Sequence, residues 1–277
     1  KKIRQATGDR FVLAMSGGGS LAMHLENFFE ILGLELIVGY GLTETSPVLT
    51  ARHYWENLRG SAGKPLLGTE LRIVDPETRQ PLPTGQRGLV LARGPQIMTG
   101  YYQNPDATAK AIDSEGWFDT GDLGRVTPNN DLILTGRAKD TIVLTSGENI
   151  EPQPIEDACV RSPYIDQIML VGQDQKFLGA LIVPNTDNLE KWAVEQKLAE
   201  SIDGLDLNSK PVQDLFRQEL NREVKNRPGY RPDDRIGPFT LLREPFTIEN
   251  GTMTQTLKIK RPVVMERYRD IINGMFD

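Results

Sequence analysis

The stretch from residue 11 to residue 45 constrains the fold more than any other, because strand-like and helix-like patterns alternate there around two polar loops. Residues 11–15 are apolar throughout and read as a buried strand, ended by Ser16-Gly17-Gly18-Gly19-Ser20. Leu21, Leu25, Phe28, Phe29 and Leu32 then recur at the spacing of one helix face. Leu36-Ile37-Val38 reads as a second strand, followed by the loop Tyr40-Gly41-Leu42-Thr43-Glu44-Thr45. Strand, helix, strand in this order predicts a right-handed parallel βαβ unit. Both loops would then follow the carboxyl ends of parallel strands, where open α/β sheets bind ligands.

From about residue 60 the pattern shifts to short strands between turns, at 70–75, 88–92 and 131–135, which predicts an antiparallel, barrel-like subdomain. One helix intervenes, with Asn104 as its N-cap and Pro105 at its first position. Past Gly136 a new α/β unit is expected. It has strands near 141–144, 168–172 and 178–183, helices from about 153, near 187–200 and near 211–225, and a last helix from Pro262. That helix would bury Val264, Tyr268, Ile271, Ile272 and Met275 on one face. The expected fold class is α/β, with a first domain over 1–136 and a second over 137–277 that carries a helical insertion at about 185–235.

The 277 residues suffice for two ordinary domains, each with its own core. A net charge of −6 argues against nucleic acid held by bulk charge. One cysteine, Cys159, excludes an internal disulfide, and two histidines, His24 and His53, leave little room for a histidine-built metal site. No apolar run approaches the roughly 18–20 residues that a membrane span needs, so a cytoplasmic protein is expected, with a peripheral membrane contact left open.

Several runs carry chemistry, each with a plainer reading beside it. In the 40–45 loop, Thr43 offers a hydroxyl to phosphate, Glu44 a hard oxygen to Mg²⁺ and Tyr40 a flat face to a base, while a simple turn with a capping threonine fits equally. Gly17, Gly18 and Gly19 permit close backbone approach to a ligand, or make a flexible turn. In Trp117-Phe118-Asp119-Thr120-Gly121-Asp122, a carboxylate can accept both hydroxyls of a ribose, or close an Asx-turn. Arg137 and Lys139, followed by Ser146-Gly147-Glu148, make a charged bend that suits a nucleotide contact at a hinge, or a surface hairpin. Ser146 lacks a G-x-S-x-G elbow, which argues against a serine hydrolase. Near the end, Lys258, Lys260 and Arg261 form a solvated basic face, or one of them neutralises a reacting carboxylate and phosphate.

Taken in order, SGGGS, YGLTET, WFDTGDL, GRAKDTIVLTSGENIEP and TQTLKIKR resemble the adenylate-forming superfamily over nearly the whole chain. Within it the chain looks most like long-chain acyl-CoA synthetases and acyl-acyl carrier protein synthetases. The features that point there are Gly147-Glu148-Asn149-Ile150-Glu151-Pro152, the Thr256-Leu257-Lys258 run and the helical insertion. The resemblance implies a two-step reaction: a long-chain fatty acid and ATP form an acyl-adenylate, and a pantetheine thiol then takes the acyl group. That thiol belongs to coenzyme A or to the 4′-phosphopantetheine of an acyl carrier protein. It also implies roles. Tyr40 stacks on the adenine and Gly41 belongs to the nucleotide site, with Gly17, Gly18, Gly19 and the rest of the 16–20 loop lining the adenine and acyl pocket. Thr43 holds phosphate and Glu44 the Mg²⁺. Asp122 accepts the ribose hydroxyls with Arg137 beside them, and Lys258 bridges carboxylate and α-phosphate. Lys139 is the hinge, and Ser146, Gly147 and Glu148 border the pantetheine tunnel.

The superfamily's Ser/Thr/Gly-rich phosphate loop has no counterpart here. The chain therefore reads as the C-terminal part of a larger enzyme, a partner N-terminal half being needed for activity. A non-catalytic module that binds nucleotide or carrier protein is the alternative expectation.

Overall fold

Alternation of buried side chains along strands, and stripes along helices, assemble this chain into two units in a computed structural model that describes residues 5, 8, 10–19 and 21–277. The first unit ends at Lys139 and the second begins at Asp140. Ser20, the last residue of the expected glycine-rich loop, lies outside the described residues.

In the first unit, β1 (Leu13–Ser16), α1 (Met23–Ile31) and β2 (Glu35–Gly41) form the expected βαβ unit, with β1 and β2 parallel and Ser16 opposite Val38. Short strands β3 (Val48–Ala51) and β4 (Lys64–Pro65) extend the sheet antiparallel, in the order β1-β2-β3-β4. Two expectations are corrected. The first strand starts two residues later than expected and is not buried, Met15 being 74% exposed. The apolar stripe of α1 is also open, with Leu25 and Phe28 exposed. Periodicity reports what a helix can bury, and among the described residues nothing covers this face. The one fully buried residue of α1 is instead Glu26, whose carboxylate takes two bonds from the guanidinium of buried Arg52, at 2.9 and 3.0 Å.

A second sheet holds β5 (Glu70–Val74), β6 (Gly88–Arg93), β7 (Phe118–Val126) and β8 (Leu132–Arg137) as an open antiparallel meander. Residues of opposite parity face its two sides. Val74, Leu89 and Leu91 pack with Trp117 and Leu123, while Ile73 and Val90 pack with Ala62 and Leu132. Most of the WFDTGDL run lies on β7, where Phe118, Thr120 and Asp122 are buried in alternation, and the Gly121 N–H donates to Asp119 Oδ1 as in the Asx-turn reading. Its turn-like composition marks a bulge. Leu91 pairs with Asp119 and Leu89 with Leu123, so Thr120, Gly121 and Asp122 stand opposite the single residue Val90. Helix α2 (Pro105–Ala111) is capped as expected, Asn104 Oδ1 accepting the Ala107 N–H at 3.1 Å.

The second unit opens with a small hairpin, β9 (Ile142–Val143) and β10 (Asn149–Ile150), then α3 (Pro152–Cys159). Its central sheet has β12 (Leu178–Pro184) between β11 (Ile165–Val171), antiparallel, and β13 (Ile236–Leu241), parallel. Every residue of β12 is buried because both sheet faces are covered. Ile168, Leu170, Ala180 and Ile182 face a core with α3, α4 (Thr186–Glu195) and α5 (Lys210–Lys225). Met169, Val171, Leu181 and Val183 face Phe246 and the last helices, α6 (Arg261–Arg267) and α7 (Arg269–Phe276). Strand β13 had no counterpart in the sequence reading, since Gly237 and Pro238 interrupt its pattern. The single expected last helix breaks at Tyr268, and Ile271, expected inside, is exposed.

Candidate active site

The β7 bulge decides the geometry around Asp122. Gly121 takes a φ of +68°, a conformation that favours glycine, and its N–H donates to Asp119 Oδ1 at 2.8 Å. Arg79 donates to the other oxygen of Asp119 at 2.7 Å. The Thr120 hydroxyl donates to the Val90 carbonyl and accepts the Asp122 N–H. So braced, Asp122 is buried, and it pairs across the sheet with Arg137 at the end of β8. Arg137 Nε donates to Asp122 Oδ1 at 2.7 Å, and the Tyr40 hydroxyl, from the end of β2, donates to Oδ2 at 2.6 Å. Burial, and then the neighbouring Asp122 charge, push the Tyr40 phenol far above its usual range, so it stays a donor. A carboxylate offers about four lone-pair sites, so two remain on Asp122 beyond these bonds.

The second loop grows from the same strand. Gly41 is required sterically, since a Cβ there would stand 1.7 Å from the Pro47 carbonyl oxygen. The buried Thr45 hydroxyl donates to that same carbonyl at 2.6 Å and accepts the Leu42 N–H, closing the turn. This leaves Thr43 exposed, with Glu44 beside it. Tyr101 donates to Glu44 Oε1 at 2.9 Å, and the Met98 N–H to the Glu44 carbonyl at 2.8 Å. No group of three or more His, Cys, Asp or Glu among the described residues could hold a metal alone. One hard carboxylate oxygen beside an open hydroxyl still fits Mg²⁺, which takes one or two carboxylates and fills its shell with phosphate oxygens and water. Gly17, Gly18 and Gly19 form an exposed loop after β1, next to the end of β2.

Lys139 is exposed in the short 3₁₀ turn Ala138–Asp140, at the end of the first unit. A cavity of about 260 Å³ beside it is lined by Arg79, Asp119 and Gly121 among others.

In the second unit, Lys258 sits on a tight hairpin closed by the Met253–Ile259 bridge and by the Thr254 N–H donating to the Lys258 carbonyl at 2.8 Å. Leu257 holds a φ of +59° with its side chain 69% exposed, and Lys258 is exposed after it. The hairpin is anchored just downstream. Arg261 donates to Glu156 Oε1 at 2.7 Å and to the Leu170 carbonyl, tying it to α3 and β11. Ser146, Gly147 and Glu148 form the exposed tip of the β9–β10 hairpin. Nearby, Leu144 joins Lys176, Phe177, Arg217, Asp233 and Arg235 around an open cleft of about 530 Å³. Arg217 is drawn below the ordinary arginine range by burial and by the Arg235 charge. Burial, with Glu156 and Glu223 beside it, pushes the Cys159 thiol up to about 12, which removes it as a nucleophile at neutral pH.

The fold thus brings Tyr40, Asp122 and Arg137 together and sets Thr43 and Glu44 on one turn. Sequence reasoning missed Tyr101, the Arg79–Asp119 brace and the cationic cleft. Tyr101 lies in a Thr-Gly-Tyr-Tyr run before a capped helix, a usable signal, whereas the cleft draws on four separated segments.

A family model described as AMP-binding enzyme matches residues 2–102, and one described as AMP-binding enzyme C-terminal domain matches residues 139–227. The chain is 43% identical to the probable acyl-activating enzyme 16, chloroplastic, of Arabidopsis thaliana, over 100% of the chain and 39% of that protein. It is 42% identical to the long-chain-fatty-acid–[acyl-carrier-protein] ligase AEE15, chloroplastic, of the same plant, over 100% of the chain and 37% of that protein. To the long-chain-fatty-acid–CoA ligase FadD15 of Mycobacterium tuberculosis it is 34% identical, over 100% of the chain and 44% of that protein. Among solved structures it is similar to the A domain of carboxylic acid reductase from Segniliparus rugosus in complex with AMP and a co-purified carboxylic acid. The TM-score there is 0.80 at 25% identity, covering 100% of the chain and 41% of that chain. The chain spans less than half the length of these relatives.

Proposed function

Because the chain belongs to the AMP-binding enzyme family, we propose that the enzyme it forms part of activates a long-chain fatty acid with ATP and passes the acyl group to a pantetheine thiol. In the first step a carboxylate oxygen attacks the α-phosphorus and the bond to pyrophosphate breaks, leaving an acyl-adenylate. In the second, the thiol sulfur attacks the acyl carbon, AMP leaves, and the thiol proton passes to solvent. The observation that carries the reading is the buried Asp122 carboxylate, clamped by Tyr40 and Arg137, in a member of this family.

The chain's residues divide the work by their chemistry. Asp122 accepts the ribose hydroxyls, with Arg137 beside it and the Tyr40 ring bordering the base. Gly17, Gly18 and Gly19 let the nucleotide approach the backbone closely, as Gly41 does. Thr43 donates to a phosphate oxygen, and Glu44 holds Mg²⁺, which offsets charge on the phosphates. Lys258 places a cation where negative charge gathers in the first transition state. Lys139 absorbs the backbone rotation between steps, and Ser146, Gly147 and Glu148 border the path of the pantetheine arm. The cleft of Lys176, Arg217 and Arg235 supports an anionic acceptor, which both coenzyme A and acyl carrier protein present. No helix of the described residues is long and apolar enough to cross a membrane.

The test is ATP–pyrophosphate exchange with the chain extended to the full length of its relatives. Exchange with palmitate or oleate but not with amino acids is expected. No exchange with any carboxylic acid would replace this reading with that of a non-catalytic module binding nucleotide or carrier protein.

A further inference from the structure

Asp122 could turn about its terminal torsion, which is broad for a carboxylate, and so present one oxygen or both to a ligand. In this fold it is held at both ends. Arg137 Nε takes Oδ1 and the Tyr40 hydroxyl takes Oδ2, from strands on opposite sides in the chain order. The two holds differ in kind. The Arg137 side chain is 42% exposed, so water and salt screen its pairing, whereas Tyr40 is partly buried against the core of the first unit. The phenol is protonated at neutral pH, and the 2.6 Å bond directs its hydrogen at Oδ2. After these two bonds, each carboxylate oxygen retains one acceptor site, the number a vicinal diol needs.

We propose that the Tyr40 hydroxyl is a specificity-determining positioning group, fixing the Asp122 carboxylate so that both of its oxygens receive the ribose 2′- and 3′-hydroxyls at once. Tyr40 then contributes through its oxygen as well as through its ring, and the enzyme distinguishes ATP from deoxy-ATP partly through a residue that does not itself meet the sugar hydroxyls. This rests on the reading of Asp122 as the ribose acceptor.

The experiment compares ATP, 2′-deoxy-ATP and 3′-deoxy-ATP in pyrophosphate exchange, using the full-length enzyme, its Tyr40→Phe variant and its Asp122→Ala variant. A site built to bond a hydroxyl rejects the analogue lacking it by large factors, so the unaltered enzyme should prefer ATP by at least roughly 10²-fold in kcat/KM. Tyr40→Phe keeps the ring and should cut that preference to about 10-fold or less, because the freed carboxylate turns to serve one hydroxyl alone. An unchanged preference, or equal loss for ATP and both deoxy forms, overturns the role of the hydroxyl, the latter showing a merely structural one. If the unaltered enzyme shows no preference, the ribose reading of Asp122 fails with it. A preference abolished by Asp122→Ala but kept by Tyr40→Phe leaves that reading standing and overturns the proposal alone. Calorimetric titration of each variant with AMP and 2′-deoxy-AMP gives the same comparison without turnover, and circular dichroism confirms the fold of the variants.

Discussion

The Tyr40 hydroxyl donates to Asp122 Oδ2 at 2.6 Å across a separation of 82 residues, joining the βαβ sheet of the first unit to its antiparallel meander. The bond has a consequence at high pH. Burial first, then Asp122, raise the phenol above the unperturbed value of about 10. The unfolded chain therefore releases this proton at lower pH than the folded one. Stability from Tyr40 is fully present below about pH 10 and is lost as pH rises from there toward the folded value. Equilibrium unfolding between pH 8 and 11, in about half-unit steps, should show a steeper alkaline decline for the unaltered chain than for Tyr40→Phe. Parallel declines would show that Tyr40 is not the group responsible.

Glu26 and Arg52 are each 4% exposed and bonded twice to one another, so removing either leaves a buried charge uncompensated. Glu26→Ala should destabilise the first unit by about 3–5 kcal/mol in urea unfolding. Replacing both residues with apolar ones of similar volume should cost far less, because no unpaired charge remains. A single substitution within about 0.5 kcal/mol of the unaltered chain would contradict this.

Lys258 is exposed on a hairpin held by its own backbone and by Arg261, so its side chain is free to serve chemistry rather than packing. Lys258→Ala should lower adenylation roughly 10²–10³-fold, the size expected when a group stabilising transition-state charge is lost. Thioester formation from preformed acyl-adenylate should be largely spared. Equal loss in both half-reactions would remove Lys258 from its assigned step.

Lys139 lies exposed in a short 3₁₀ turn at the end of the first unit. Lys139→Pro fixes φ there and should slow thioester formation while adenylation proceeds. Single-turnover assays separate the two, and a thioester rate matching the unaltered enzyme would exclude the hinge.

Much of this architecture is legible in the amino-acid sequence. The βαβ unit announced itself in the spacing of Leu21, Leu25, Phe28, Phe29 and Leu32 between two apolar runs, and Asn104-Pro105 marked the start of the separate helix α2. The turn that carries Thr43 and Glu44 follows the strand expected to precede it, although Tyr40 and Gly41, expected in that loop, end the strand instead. These features are local, and local propensity with binary patterning suffices to place them. Strand β7 escaped because its bulge residues imitate a turn, and Tyr268 broke a helix that periodicity alone would have continued.

Sequence by itself determined the βαβ unit and the capped helix, the glycine positions that tolerate close backbone approach, and the residue types able to meet a nucleotide. Tertiary structure decided which of them meet. Tyr40, Asp122 and Arg137 come from three strands, and only sheet pairing and the bulge bring a phenol and a guanidinium to opposite oxygens of one carboxylate. The same holds for Glu26 on α1, where the helical pattern favours apolar burial but Arg52 from β3's end makes a buried acid the stable choice. A side chain's chemistry is written locally, but its ionisation and orientation depend on partners that the fold brings from far along the chain.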